Sequence, residues 1–275
     1  MNDKYSLKGK TALITGAGGL LGPQHAIALI QNGAHVVLTD ISDDLLNQAE
    51  IKINNHFKNK KIDHISKSVM DVTKFESIKS TSEATKTRID ILINNAAINP
   101  KFLNDDNFDN SRLEDFSIEK WDQEMDVGLK GAFLCCREFG NKMSLDNKGG
   151  VILNISSDLS VISPYQGLYK KKELPEESQP VKPVSYSVIK TGLIGLTRYV
   201  ATYWNEKNIR CNALSPGGIK EDQDSEFIKR ISSLIPLGRM ADIDEYHAAV
   251  QFLCSDASSY MNGQNIIMDG GRSIW

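Results

Sequence analysis

Short apolar runs alternate with longer amphipathic stretches over most of the chain, and this alternation restricts the possible folds more than any other feature. The predicted strands are residues 10–15, 34–39, 62–69, 89–94, 150–155, 209–214 and 265–268. The predicted helices are residues 22–32, 43–57, 75–88, 117–143, 184–206 and a segment near 242–254. This alternation is typical of the α/β class, in which a doubly wound parallel sheet carries helices on both faces.

One long stretch interrupts the alternation. Residues 163–183 contain four of the eight prolines and three consecutive lysines. The β/α pattern resumes after this stretch, so we interpret it as a loop inserted between a strand and a helix, not as a linker between domains. The sequence therefore predicts a single domain over residues 1–275 with an inserted loop at 163–183. Residues 99–111 are predicted to form a second surface loop.

Composition argues against several classes of partner. With 32 basic and 35 acidic residues, the formal net charge is −3, which favours neither nucleic acid nor an anionic membrane. The sequence contains no run of roughly 18 apolar residues that would span a bilayer, and its first residues lack the apolar segment of a signal peptide. The four cysteines and five histidines have no spacing typical of metal sites or disulfide frameworks. We therefore expect no metal, buried core cysteines and a cytoplasmic location.

A glycine-rich turn follows the first predicted strand and opens the first predicted helix. Glycine lets the backbone turn tightly and approach a pyrophosphate, and the start of a helix attracts negative charge. Asp40 stands at the end of the second predicted strand. A carboxylate at this place hydrogen-bonds the adenosine ribose and repels a 2′-phosphate, so the sequence favours NAD over NADP. The alternative is that Asp40 belongs to the cap of the following helix.

Tyr186 and Lys190 lie four residues apart at the start of a predicted helix, so they share one helix face. A nearby ammonium favours the phenolate and lowers the pKa of a tyrosine, which gives a general acid or base near neutral pH. Taken alone, this pair is also typical of an exposed helix surface. Ser157 follows the strand at 150–155, and a serine there points into the crevice where α/β proteins bind ligands. Its hydroxyl can hold a substrate carbonyl or alcohol oxygen.

These residues and their spacing resemble the short-chain dehydrogenase/reductase family over essentially the whole chain. The motifs are, in chain order, T-G-A-G-G-L-L-G at 15–22, Asp40, D-V-T at 71–73, N-N-A-A at 94–97, N-I-S-S at 154–157, Y-S-V-I-K at 186–190, S-P-G-G at 215–218, P-L-G-R at 236–239 and N-G-Q-N-I-I-M-D-G-G at 262–271. The resemblance implies a Rossmann fold and a homodimer or homotetramer with the helices at 117–143 and 184–206 in the interface.

By position, the resemblance also implies the site residues. Tyr186 would exchange the hydroxyl proton with the substrate, Ser157 would orient the reacting oxygen, and Lys190 would bind the nicotinamide ribose and lower the pKa of Tyr186. The implied contacts with the cofactor, NAD, come from Gly16, Gly19, Leu20, Leu21, Gly22, Asp40, Ile41, Asp71, Val72, Asn95, Ala96, Tyr186, Lys190, Pro216, Gly217 and Ile219.

Three residues depart from the family pattern. Leu20 replaces a usual glycine of the short form, so the turn has the glycine spacing of the extended subfamily, although 275 residues leave little room for that subfamily's substrate domain. Gly128 stands where a catalytic asparagine usually holds a relay water, so a second water fills the gap, proton delivery is slowed, or activity is lost. Lys220 stands where a threonine commonly contacts the nicotinamide carboxamide.

The gap between Ser157 and Tyr186 is longer than the family norm because it contains the inserted loop, which must lie beside the active-site mouth. Its lysines, Lys170, Lys171 and Lys172, either contact a phosphate or form a solvated run beside neighbouring glutamates. The aromatic residues near this mouth, which suit a sugar face, a lipid chain or simple packing, are Tyr165, Tyr169 and Phe102.

The chain resembles a subgroup associated with bacterial surface-sugar and flagellin-glycan pathways. That resemblance implies a small-molecule substrate, namely a sugar, a sugar phosphate or a nucleotide sugar. Two alternatives stay open. One is a 3-oxoacyl reductase, which Asp40 opposes because reductive biosynthesis typically uses NADPH. The other is a catalytically weak NAD-binding sensor or scaffold, which Gly128 suggests and which the intact Ser157, Tyr186 and Lys190 oppose.

Overall fold

The computed structural model describes residues 4–58, 64–98 and 111–275, and seven strands within these ranges form one parallel sheet. The strands are β1 (Thr11–Thr15), β2 (His35–Asp40), β3 (Ile65–Val69), β4 (Ile91–Asn94), β5 (Gly150–Ile155), β6 (Ile209–Pro216) and β7 (Asn265–Met268). Their order is β3-β2-β1-β4-β5-β6-β7, and every neighbouring pair is parallel. The direction of strand addition reverses between β1 and β4, which opens a crevice at their carboxyl ends.

Helices cover both faces of the sheet, which confirms the predicted α/β doubly wound fold. They are α1 (Gly22–Gln31), α2 (Asp43–His56), α3 (Phe75–Ala84), α4 (Ile118–Met125), α5 (Gly131–Cys135), α6 (Asn141–Leu145), α7 (Val184–Tyr203), α8 (Ser225–Ser232) and α9 (His247–Cys254). Alternate residues of β1 show the two faces. Ala12 and Ile14 pack in one apolar cluster with α1 and α9, whereas Leu13 packs in the other with Phe139 and Val200.

The helix predicted at 117–143 is observed as one continuous run that contains two internal π-helical segments. Two π-helical segments, Asp126–Lys130 and Cys136–Gly140, join α4, α5 and α6 into one helical run that extends to Leu145. Backbone dihedrals stay helical across each junction, so the run does not break. In the second π segment a Cβ atom on Gly140 would lie 2.4 Å from Cζ3 of Trp204, so glycine permits this close packing. Inserted π turns are frequent at functional sites.

Other predicted boundaries shift for local reasons. The helix predicted to reach Arg88 ends at Ala84, and the Arg88 guanidinium instead bonds the carboxylates of Asp90 and Asp146. The helix predicted to reach Glu206 ends at Tyr203, where a 3₁₀ turn follows. The strand predicted at 62–69 is observed from Ile65, and part of its predicted range lies outside the described residues.

Two differences concern the segment before the last strand. The helix predicted from Asp242 begins at His247, because the Asp242 amide donates to the Glu245 carboxylate and closes a turn. The helix α8 was not predicted from the sequence. Its signal was present, since Asp224 caps it by accepting from the amides of Glu226 and Phe227.

Candidate active site

A cavity of about 570 Å³ opens at the carboxyl ends of the central strands. It extends from the turn after β1, past the ends of β4 and β5, to the end of β6. Its volume lies in the range of small-molecule and cofactor sites. The predicted site residues that line it are Gly16, Gly19, Leu20, Leu21, Asp40, Asn95, Ser157, Tyr186, Lys190, Pro216, Gly217 and Ile219. The fold therefore brings most of the predicted cofactor residues and all three predicted catalytic residues to one cavity.

The glycine turn after β1 leaves no room for side chains at Gly16, Gly18 and Gly22. Gly16 has φ of 60°, and a Cβ atom there would lie 2.6 Å from the Cα of Ala96. A Cβ atom on Gly22 would lie 2.4 Å from the carbonyl oxygen of Ala17. Helix α1 begins at Gly22 without a side-chain cap, so no capping side chain satisfies its first amides, and Pro23 contributes no N–H. These residues fit the pyrophosphate of a dinucleotide.

Asp40 holds the same turn from the end of β2. Its Oδ2 accepts a hydrogen bond of 2.9 Å from the Gly18 amide, and its side chain lines the cavity. The alternative role as the cap of α2 is not observed, because Ser42 is the N-cap and accepts from the Leu45 amide. The Asp40 carboxylate is thus fixed beside the cavity with its second oxygen 3.4 Å from the Ser42 amide.

Several other residues predicted to contact the cofactor do not line the cavity: Gly22, Ile41, Asp71, Val72 and Ala96. Ile41 is exposed, and Val72 is buried in an apolar cluster of the core. Asp71 accepts hydrogen bonds from the amide and hydroxyl of Thr73, which lower the pKa of its carboxyl although partial burial opposes them. The contacts implied for these residues with the cofactor stay predictions.

Ser157, Tyr186 and Lys190 lie together on one wall of the cavity. The Lys190 ammonium donates a hydrogen bond of 2.9 Å to the Ile155 carbonyl and lies 5.6 Å from the centre of the Tyr186 ring. The helix that carries Tyr186 and Lys190 is fixed to β5, because the Ser156 hydroxyl donates to the Lys190 carbonyl at 2.7 Å. A phenol, a hydroxyl and an ammonium therefore line the same cavity.

Burial has the largest effect on the pKa values of Tyr186 and Lys190. It raises the pKa of Tyr186 to about 12, with Asp158 adding to the rise and the Ser157 hydroxyl opposing it. The predicted lowering of the Tyr186 pKa by Lys190 is therefore not observed, because the cost of burying a phenolate is larger. Burial also lowers the pKa of Lys190 to about 8.

A buried ion pair next to Ser157 was not predicted from the sequence. The Ser157 hydroxyl donates to Asp158 Oδ1 at 2.9 Å, and Asp158 Oδ2 lies 2.8 Å from the Arg272 guanidinium. Both charged side chains are almost fully buried. Arg272 comes from the last residues of the chain, so the C-terminal segment fixes the hydroxyl of Ser157 through Asp158. Pairing between distant segments leaves no local sequence signal.

The inserted loop forms part of the cavity wall through Leu168, Tyr169, Lys170, Lys171, Pro180 and Lys182. Its predicted place beside the active site is thus observed. Lys170 forms an ion pair of 2.8 Å with Glu176, and Lys172 is exposed and does not line the cavity. Tyr169 lines the cavity, whereas Tyr165 is exposed and does not. Phe102 lies outside the described residues.

The two remaining departures from the family pattern have structural explanations. A Cβ atom on Gly128 would lie 2.7 Å from Cγ2 of Ile189, so the space of an asparagine side chain is occupied by isoleucine. Gly128 lies in the first π segment of the helical run. Lys220 is exposed and does not line the cavity, whereas its neighbours Glu221 and Gln223 do.

The structure also bears on the predictions made for the cysteines, for metal sites and for membrane-spanning segments. All four cysteines are free and buried, as predicted for core residues. Among the residues that the structure describes, no three His, Cys, Asp or Glu side chains converge as metal ligands would. Within the same ranges, no helix combines the length and hydrophobicity that a bilayer span requires.

Comparison with known proteins agrees with this geometry. The short chain dehydrogenase family profile matches residues 10–169, and a profile described as Enoyl-(Acyl carrier protein) reductase matches residues 176–273. An NAD-dependent glycerol dehydrogenase of Listeria innocua is 32% identical, over 98% of this chain and 96% of the relative. A 2-dehydro-3-deoxy-D-gluconate 5-dehydrogenase of Bacillus subtilis is 32% identical, over 98% of this chain and 97% of the relative.

A solved structure extends the comparison to three dimensions. The gluconate 5-dehydrogenase of Burkholderia cenocepacia, in complex with NADP and tartrate, superimposes with a TM-score of 0.80. It is 27% identical, and the match covers 98% of each chain. The similarity thus extends over almost the whole of both chains.

Proposed function

The chain belongs to the short-chain dehydrogenase/reductase family, and we propose that it interconverts a secondary alcohol and a ketone on a sugar or sugar derivative with NAD as cofactor. That it is an oxidoreductase acting on an alcohol or ketone with a nicotinamide cofactor follows from its relatives. The observation that carries the finer proposal is the single cavity lined by the glycine turn, Asp40, Ser157, Tyr186 and Lys190.

The proposed chemistry assigns one role to each of three side chains. A bound nicotinamide supplies the hydride donor or acceptor. Tyr186 gives its phenolic proton to the carbonyl oxygen during reduction and takes a proton during oxidation. Ser157 hydrogen-bonds the same oxygen and orients it; toward a ketone this requires its single hydroxyl proton to turn from Asp158 Oδ1 to the substrate. The Lys190 ammonium holds a ribose hydroxyl and favours the phenolate when Tyr186 is deprotonated.

Asp40 supports NAD as the cofactor. Its carboxylate is held beside the glycine turn, where the adenosine ribose of a dinucleotide would lie. A negative charge there accepts from ribose hydroxyls and repels a 2′-phosphate. Asp40 also opposes the alternative of a 3-oxoacyl reductase, because reductive biosynthesis typically uses NADPH. The enoyl reductase description of the second profile names a different reaction, the reduction of a carbon–carbon double bond.

The relatives support a polyhydroxylated substrate. The two curated relatives named above are a glycerol dehydrogenase and a dehydrogenase of a deoxygluconate, and the solved structure is a gluconate dehydrogenase. Within that class we keep the substrates implied by the surface-sugar subgroup, namely a sugar, a sugar phosphate or a nucleotide sugar. The inserted loop would contribute to the choice among them, since it forms part of the cavity wall.

An absorbance assay at the wavelength of NADH tests the proposal. The purified chain is incubated with NAD and a panel of polyols, aldonates, sugar phosphates and nucleotide sugars, with 3-oxoacyl thioesters and NADPH run in reverse. We expect NADH formation with a sugar-like alcohol and none with the thioesters. Turnover of thioesters alone would replace the proposal with the acyl alternative. Tight NADH binding without turnover of any compound would favour the sensor interpretation.

We also propose that the chain forms a homodimer or homotetramer through the outer faces of α5 and α7. Tyr199 and Tyr203 on α7 are exposed and stack with ring centres 5.7 Å apart, and Phe133 on α5 is also exposed. Exposed aromatic clusters of this kind are typical of interfaces. In light scattering after gel filtration, the double variant Tyr199→Lys with Tyr203→Lys is expected to give a smaller assembly than the wild type, which is a monomer where the wild type is a dimer. The exposed control Tyr260→Lys should keep the wild-type mass, and an unchanged mass of the double variant would contradict the proposed interface.

A further inference from the structure

Arg272 places a guanidinium group on the cavity wall, one residue pair away from Ser157. Its side chain lines the cavity and is only 7% exposed, and its Nη1 donates to Asp158 Oδ2 at 2.8 Å. A guanidinium carries five N–H donors, and this bond uses one of them. Within the ranges that the structure describes, the Arg272 side chain forms no second hydrogen bond or ion pair. Four donors of a nearly buried group therefore have no partner in the described chain.

The remaining donors of Arg272 require acceptor atoms. Buried N–H groups in folded proteins nearly always bond an acceptor, because burial without one is costly. Arg272 lines the main cavity and does not line the second pocket, which shares Gly217 and Gly218 with it. A molecule bound in the main cavity is thus the one placed to supply these acceptors.

A glycine turn and a carboxylate hold the backbone around Arg272. The turn after β7 contains Gly270 and Gly271, whose φ values of 67° and 90° are rarely adopted by other residues. The Asp269 carboxylate accepts from the Gly271 amide at 2.9 Å and from the Ser273 amide at 2.7 Å. Arg272 is therefore positioned before a ligand arrives, which reduces the entropy lost on binding.

Asp158 balances the charge of Arg272, and this balance favours a neutral ligand over an anion. Asp158 Oδ1 accepts from the Ser157 hydroxyl and from the Leu159 amide, both at 2.9 Å, so the carboxylate is fixed beside the guanidinium. An anion bound at Arg272 would also meet the negative charge of Asp158. A hydroxyl oxygen accepts from the guanidinium without that repulsion. The geometry and the charge together favour a substrate hydroxyl group.

We propose that Arg272 donates to a hydroxyl group on a carbon next to the reacting carbon, and so selects polyols over simple secondary alcohols. The inference rests on the proposed function, since it takes Ser157 as the group that meets the reacting oxygen. A single carboxylate, that of Asp158, bonds both the Ser157 hydroxyl and the Arg272 guanidinium. Two substrate oxygens that meet these groups therefore belong to neighbouring carbons. Arg272 is then a specificity residue that comes from the C-terminal segment.

Alcohols with one carbon skeleton test the inference in the wild type. Glycerol, 1,2-propanediol and 2-propanol each carry a secondary alcohol at the middle carbon, with two, one and no neighbouring hydroxyl groups. We expect kcat/KM with NAD to fall by about 10- to 100-fold from glycerol to 2-propanol, the range of a hydrogen bond to a charged group. Racemic glycerate has a carboxylate in place of one hydroxymethyl group, and it should be oxidised more slowly than glycerol.

Variants of Arg272 separate recognition from the positioning of Ser157. Arg272→Met removes every donor and should abolish the preference for glycerol. Arg272→Lys keeps a positive charge beside Asp158 but replaces the planar fork with one ammonium, so it should lose most of the preference. A displaced Ser157 would slow all three alcohols alike, so the ratio of their kcat/KM values reports recognition.

Arg239→Lys is the matched control. Arg239 also pairs with a carboxylate, that of Glu245 at 2.6 Å, but it does not line the main cavity. The control should keep the wild-type ratio. NADH affinity and the melting temperature show that each variant is folded, and Arg272→Lys carries the test if Arg272→Met does not fold.

Several results would overturn the inference while the proposed function stands. These are equal kcat/KM values for the three alcohols, oxidation of a sugar derivative but of none of the three, faster oxidation of glycerate than of glycerol, and a ratio unchanged in a folded Arg272 variant. If no compound of the wider panel is oxidised, the proposed function fails. Isothermal titration of the NADH complex then decides the inference. Tighter binding of glycerol than of 2-propanol, reduced in Arg272→Lys, supports it, and equal or absent binding overturns it.

Discussion

Tyr186→Phe is expected to lower the rate of alcohol oxidation by about 100- to 10,000-fold, the usual contribution of a general acid or base. The substitution removes one hydroxyl and keeps the ring, so the contact between the ring and Lys182 is retained. NADH affinity should stay within about twofold of the wild type, because the glycine turn and Asp40 are untouched. Stopped-flow or steady-state absorbance measures the rate, and fluorescence titration measures the affinity.

The pH profile shows whether the lost hydroxyl is the proton carrier. Burial raises the pKa of Tyr186 to about 12, so the phenol is protonated at neutral pH and ready to donate to a ketone. Oxidation needs the phenolate. At pH values below the pKa, the fraction of phenolate rises about tenfold with each unit by which the pH increases. In the wild type, oxidation should therefore accelerate as the pH rises from 6 to 8. Lys190, whose pKa is lowered to about 8, loses its charge above that pH, and the rise should then flatten.

Tyr186→Phe should be slower than the wild type, and its remaining oxidation rate should no longer increase with pH. Tyr165→Phe serves as the control, since Tyr165 belongs to the inserted loop, is exposed and does not line the cavity. It should keep both the wild-type rate and the wild-type profile. A Tyr186→Phe enzyme with the wild-type profile and a rate within tenfold would show that another group carries the proton.

The strands and the glycine turn could be predicted because their causes are local. Strands buried on both faces give continuous apolar runs, and the turn at Gly16 needs a positive φ that glycine adopts freely. The positions of Ser157 and Tyr186 also follow locally, since each comes at the end of a strand or the start of a helix. For these reasons the position of the cavity, and of Ser157, Tyr186 and Lys190 on its wall, could be predicted from the sequence.

Other features depend on contacts between distant segments. The π segment around Gly128 differs from α-helix by one hydrogen-bond step, which apolar periodicity does not register. The ion pair of Asp158 with Arg272 joins residues 114 positions apart in sequence. The pKa of Tyr186 was expected to be low from the neighbouring lysine, but burial raises it, and burial is a property of the whole fold.

Asp40→Asn is expected to change the cofactor preference of the protein. We expect the ratio of the Kd for NADPH to the Kd for NADH to fall by about 10- to 100-fold, the effect of removing one charged hydrogen-bonding partner. Asparagine keeps an oxygen that can accept from the Gly18 amide, so the glycine turn stays in place. The substitution removes the negative charge that would repel a 2′-phosphate and weakens the contact with ribose hydroxyls.

Fluorescence titration with both reduced cofactors measures the two constants. Asp43→Asn is a suitable control, because Asp43 is an exposed acid at the start of α2 that does not line the cavity. It removes the same charge from the same region and should leave the ratio unchanged. If the ratio shifts equally in both variants, the effect is due to net charge near the site. If it shifts in neither, Asp40 does not select the cofactor, and the proposal of NAD loses its structural support. A shift confined to Asp40→Asn assigns the selection to the carboxylate that the Gly18 amide holds at the cavity wall.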